Sequence, residues 1–106
     1  MTENITGKVM TVLGPISPED LGFTLMHEHL WFQVPGHHLD SMWVDNTQEA
    51  VDRGVAGLEA AKALGVSAMV DPQPMELGRD VELMRRVSEG SGVPIICAVG
   101  LYTEQH

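Results

Sequence analysis

The chain has 106 residues, 43% of them hydrophobic and 20% charged, which describes an ordinary folded domain with room for one modest core. Fifteen acidic side chains against six basic ones give a net charge of −9, so a nucleic acid or an anionic membrane surface would meet repulsion where it needs a basic patch. Cys97, the single cysteine, lies in an apolar run, which excludes an internal disulfide and fits a packed thiol in a reducing, cytoplasmic setting. The opening residues do not read as a leader, and no apolar run approaches the roughly 18 residues of a membrane span.

In chain order, Lys8-Val9-Met10-Thr11-Val12-Leu13 followed by Gly14-Pro15 predicts a short strand broken by a turn, a capping ribbon over about residues 8–16. Ser17-Pro18-Glu19-Asp20 reads as a helix start with serine as N-cap and proline at the first helical position, although Gly22 leaves room for one turn. Next comes Gly22-Phe23-Thr24-Leu25-Met26-His27-Glu28-His29-Leu30, an apolar run that predicts a buried strand.

In an extended chain successive side chains point to opposite faces, so His27 and His29 share a face with Phe23 and Leu25, while Thr24, Met26, Glu28 and Leu30 share the other. Two imidazoles then converge on one point and can hold a divalent cation between them. The helical zinc pattern, His-Glu-x-x-His, needs a different spacing that is not present here. Glu28, on the opposite face, reads as a paired structural acid and not as a general base.

Residues 31–46 form an irregular stretch with Pro35-Gly36, His37-His38 and Trp43, a loop that would hang over the proposed ligands; His37 and His38 read as solvated. Residues 47–64 predict a helix capped by Asn46 or Thr47, with Val51, Val55, Leu58, Ala61 and Leu64 on its apolar face, Glu49, Asp52, Arg53, Glu59 and Lys62 on its solvated face, and Gly65 closing it. Gly54 and Gly57 inside that helix imply close packing against a sheet. Residues 66–70 predict a strand ending at Asp71-Pro72. A second helix over residues 79–90 uses Val81, Leu83, Met84 and Val87, Arg79 at its start reading as a surface or ion-pair residue. Residues 94–99 are continuously apolar, as a strand buried on both faces is, and Gly100-Leu101-Tyr102 leaves that strand's carboxyl end.

The order is strand, helix, strand, helix, strand, with carboxyl ends at His29, Asp71 and Tyr102. Tight glycine turns favour parallel crossovers, and sites in parallel α/β architectures lie at the carboxyl ends. A small doubly wound open sheet is the rival reading, weakened by its exposed edges and by the lack of a glycine-rich phosphate loop. An eight-stranded barrel takes about 250 residues, so three strands in 106 residues predict the first part of one, truncated.

The stretch from Gly22 to Leu30 resembles the first-strand signature of the phosphotriesterase family of the amidohydrolase superfamily. Thr11-Val12-Leu13-Gly14-Pro15, Val70-Asp71-Pro72, Gly78-Arg79-Asp80 and Gly100-Leu101-Tyr102 resemble further landmarks of that family in the same order. The resemblance implies the first three strands and two helices of a TIM-type (β/α)8 metallo-hydrolase barrel forming one domain. It implies two divalent metal ions, most often zinc, bridged by hydroxide and a carboxylated lysine, and hydrolysis of a small-molecule ester, lactone or phosphotriester. His27 and His29 match the first-strand metal ligands. Tyr102 matches an aromatic residue that lines the substrate pocket in lactonase-like members and tilts the reading toward lactones. Asp71 reads as a carboxylate that caps or supports the site and not as a ligand. The bridging lysine, two further histidines and an aspartate have no counterpart in this sequence, so the chain by itself is expected to be inactive; a homodimer is compatible with the complete protein. The competing readings are a non-catalytic fragment, and a binding module that acquires its missing strands from another chain.

Overall fold

Alternating apolar runs and glycine-closed helices give two small sheets and two helices in a computed structural model that describes residues 4–30, 47–74 and 78–99. The first sheet is an antiparallel hairpin of β1 (Val9–Thr11) and β2 (Gly14–Ile16), paired Thr11 to Gly14. The turn therefore falls at Val12-Leu13, and Gly14-Pro15 begins the second strand instead of breaking the first. Thr11 explains the shift: its hydroxyl accepts from the Leu13 amide at 3.2 Å and donates to the Gly14 carbonyl at 2.7 Å, closing the turn one step earlier than the Gly-Pro dipeptide suggests. The Val12 amide then donates to the Ile95 carbonyl at 2.9 Å, which fastens the hairpin to the third parallel strand.

A single 3-10 turn at Pro18–Asp20 follows, as the Ser-Pro start and Gly22 imply, though Ser17 caps it through its backbone carbonyl and not its hydroxyl. Gly22 adopts φ +53°, and a side chain there would collide with Ser67, so the entry to the first parallel strand requires glycine.

The second sheet has the order β3 (Thr24–Leu25), β4 (Ala68–Asp71), β5 (Ile95–Cys97), parallel throughout. Between these strands run α1 (Thr47–Ala63) and α2 (Val81–Ser91). Gly65, at φ +104°, ends α1: its amide returns to the Lys62 carbonyl and the Val66 amide to the Ala61 carbonyl, satisfying carbonyls that the helix end leaves open. Asp80 caps α2 by accepting the Leu83 amide at 3.0 Å. The residue before α1 lies outside the described residues.

One core joins the helices to the sheet: Val51 and Leu58 from α1, Leu83, Met84 and Val87 from α2, Met69 and Ile95 from the strands, and Val93. Cys97 packs against its edge. Leu64 and Val81, expected in that core, are instead exposed, because each sits at a helix end where the apolar stripe has already turned past the sheet. The helix glycines serve a helix contact rather than a sheet contact. A Cβ at Gly54 would stand 2.8 Å from Val87 Cγ2, and one at Gly90 2.8 Å from Val55 Cγ2, so each helix offers a glycine to the other's valine. Gly57 faces open space. Among the described residues no helix is long and apolar enough to cross a membrane.

Candidate functional site at the strand carboxyl ends

The three parallel strands end on one side, where Asp71 closes β4 and His27, Glu28 and His29 follow β3. β3 pairs regularly only at Thr24 and Leu25; the backbone bends at Met26 and His27, and pairing resumes where the Glu28 amide donates to the Val70 carbonyl at 3.2 Å. The expected strand through Leu30 is thus shorter than its apolar pattern suggests. Alternation along it is interrupted: Phe23 and Met26, predicted on opposite faces, are both exposed, while Leu25 packs on the core.

The bend leaves the two histidines together. Their ring centroids lie 5.2 Å apart with the planes inclined at 77°. Both residues are exposed as a whole, and the His29 side chain retains 28% of its surface. His29 Nδ1 is hydrogen-bonded to the Gln73 side-chain oxygen, and Nδ1 stands 3.8 Å from Asp71 Oδ1.

Asp71 is the brace of this corner. It is 1% exposed, and its carboxylate is satisfied by backbone amides: Oδ2 accepts from Leu30 at 3.2 Å, and Oδ1 from Gln73 at 2.9 Å. One carboxylate therefore holds the residue after His29 and the loop after β4 in fixed relation. Its own carbonyl accepts from the Ala98 amide at 3.1 Å, which draws in the end of β5 as well. Arg79, read as a surface or ion-pair residue, is half-buried and donates to the Ala98 carbonyl at 3.0 Å, tying the approach to α2 to the same corner.

Glu28 differs from its expectation. It is exposed and has no ion pair among the described residues, and it shares the rim of a cleft of about 280 Å³ with His29 and Arg53, above a floor of Leu25, Leu58 and Met69. The bend at Met26 and His27 interrupts the alternation on which the expectation for Glu28 rested. Gln73 is the residue that periodicity missed. Its signal was Asp71-Pro72-Gln73, an aspartate positioned to accept the amide two residues ahead and so to aim the next side chain.

His37, His38, Gly100, Leu101 and Tyr102 lie outside the described residues. Among the described residues no group of three or more His, Cys, Asp or Glu side chains gathers as a metal cage. His27 and His29 fit a partial donor set: two imidazoles side by side, one with its Nδ1 engaged by Gln73.

The family model described as "Phosphotriesterase family" matches residues 7–106. The aryldialkylphosphatase of Saccharolobus solfataricus is 35% identical over 89 residues, covering 82% of this chain and 28% of that protein. The N-acetyltaurine hydrolase of Rattus norvegicus is 30% identical over 131 residues, covering 95% and 37%. Among solved structures, the organophosphorus hydrolase of Deinococcus radiodurans superposes with a TM-score of 0.85 at 34% identity, covering 89% of this chain and 28% of that one. The chain thus spans about a third of the length of the relatives it matches. Its parallel strands and helices correspond to a portion of a TIM-type barrel, as the family resemblance implied.

Proposed function

Because the chain belongs to the phosphotriesterase family, we propose that it supplies the first-strand ligands, His27 and His29, of a metal-dependent hydrolase that cleaves a lactone or phosphotriester. The observation that carries this reading is the pair of rings 5.2 Å apart at the end of a parallel sheet. Two bound divalent ions, zinc by expectation, would supply Lewis acidity and an acidified water. In this account His27 and His29 place the metal and take no proton from substrate. Asp71 holds the backbone on which His29 sits, and Tyr102 lines the substrate pocket.

The chain is read as part of one barrel domain with the β1–β2 hairpin as its capping ribbon. Its partners are small molecules, not nucleic acid or membrane, in keeping with its net charge of −9, and its compartment is the cytoplasm. A second reading, amide hydrolysis, is favoured by the N-acetyltaurine hydrolases, whose similarity covers 95% of this chain.

The test is metal content beside turnover on a lactone, a phosphotriester and an N-acetyl amide, in the complete protein. His27→Ala or His29→Ala should lower both metal content and turnover, the latter by orders of magnitude. Glu28→Ala should leave metal content unchanged. Full metal content in the double alanine variant would end the ligand reading, and the substrate turned over decides between ester-like and amide chemistry.

A further inference from the structure

We propose that Gln73 is a positioning residue for His29: its buried side-chain oxygen holds the imidazole as the Nδ1-protonated tautomer, which makes Nε2 the unprotonated nitrogen, the one that can coordinate a metal ion. The inference rests on the ligand reading of His29. A neutral imidazole carries one donor and one acceptor nitrogen, and only the acceptor can bind a cation, so whatever occupies Nδ1 decides whether Nε2 is available.

Among the described residues, two side-chain oxygens stand near Nδ1. Gln73 Oε1 makes the hydrogen bond, and Asp71 Oδ1 stands behind it at 3.8 Å. A carboxylate at that distance favours a proton on Nδ1, and this also settles which end of the Gln73 amide turns toward the ring, since an NH2 group there would demand the opposite tautomer. Gln73 is 1% exposed, so its amide is held within the fold and is not exchanging with water. Its backbone is fixed by the 2.9 Å bond from its amide to Asp71 Oδ1, while Asp71 Oδ2 holds the Leu30 amide, one residue past His29. Ring and acceptor are thereby referenced to one buried carboxylate. The arrangement orients His29 before any metal arrives, and partners of this kind beyond the metal ligands typically govern metal affinity by about 10–100-fold.

The experiment uses the chain with 15N-labelled histidine, whose five imidazoles are few enough to resolve. At about pH 8, above the ordinary imidazole pKa, two-bond proton–nitrogen correlations identify the tautomer of each ring, with His29→Ala assigning the signal. The expected result is an Nδ1–H tautomer for His29 in the parent chain. In Gln73→Met, which keeps the side-chain length and removes the acceptor, the population of that tautomer should fall, with Asp71 Oδ1 the carboxylate still near the ring. Zinc titration of the same samples should show affinity reduced by about 10–100-fold in Gln73→Met.

An Nε2–H tautomer in the parent chain overturns the proposal whatever the variant does, so a Gln73→Met chain that fails to fold does not shelter it. Unchanged tautomer and affinity in a folded Gln73→Met chain overturn it equally. The two layers separate cleanly. Zinc binding abolished by His29→Ala together with an Nε2–H parent tautomer removes the role of Gln73 and keeps the ligand. An Nδ1–H tautomer with zinc binding indifferent to His29→Ala removes the ligand reading, and the positioning role with it.

Discussion

The helix side of the molecule and its strand-end corner are held by different forces. Between α1, α2 and the sheet, Met69, Val87, Val93 and Ile95 are 1% exposed or less, and glycine–valine contacts bring the helices close together. At the carboxyl ends the burial is polar: Asp71 and Gln73 are each 1% exposed, and an amide–carboxylate bond joins Leu30 to Asp71, 41 residues apart in sequence. The first region is stabilised by shape and area, the second by a few directional bonds. Substitutions in the packed helix contact should therefore loosen the helices, and those at the corner should loosen the segments that carry His29 and Gln73.

The largest effect belongs to the core. Met69→Ala should destabilise the chain by about 2–5 kcal/mol in denaturant titration, the range for emptying a buried methionine. Gly54→Ala should cost about 1–3 kcal/mol by overpacking against Val87 Cγ2, 2.8 Å from the added carbon. Asp71→Ala should cost a similar amount, about 1–3 kcal/mol, by leaving the Leu30 and Gln73 amides without their acceptor. The two differ in where the damage appears: hydrogen exchange should accelerate in α1 and α2 for Gly54→Ala, and at Leu30 and Gln73 for Asp71→Ala. Uniform acceleration in both variants would erase the contrast between the regions.

Gly57→Ala sharpens the contrast from the other direction. Nothing stands within 4 Å of its added carbon, so relief of the glycine penalty should make it neutral or stabilising by up to about 1 kcal/mol. The smallest effect is a pH dependence on the outer face of α2. The hydrogen bond from Arg85 holds Glu82 below the ordinary carboxylate range. A lowered folded pKa contributes stability above the unfolded value and loses it as pH falls through the folded one, so Glu82→Gln should remove a small part of the acid sensitivity below about pH 4.5. The pair is exposed, and the effect should shrink further in high salt.

The alternating elements were legible because each carries its own punctuation: Gly65 after α1, Asp80 before α2, and continuous apolarity in β4 and β5. The hairpin turn was displaced because the Thr11 hydroxyl, a local hydrogen-bonding group, outweighed Gly14-Pro15. The histidine pair was visible as a spacing, but the bend at Met26-His27 was not, since periodicity assumes a regular strand and cannot register an irregular one. Gln73 and Arg79 escaped because their roles depend on partners that chain topology brings together, His29 across 44 residues and Ala98 across 19.

The central claim is that His27 and His29 together bind a divalent ion, and calorimetric titration of the 106-residue chain with zinc tests it most directly. Two imidazoles supply fewer donors than the three or four protein ligands of a catalytic zinc site. The account predicts weak binding of one ion per chain in the parent and none in the His27→Ala, His29→Ala double variant, with far-UV circular dichroism showing both chains folded. Equal zinc binding by parent and double variant would contradict it.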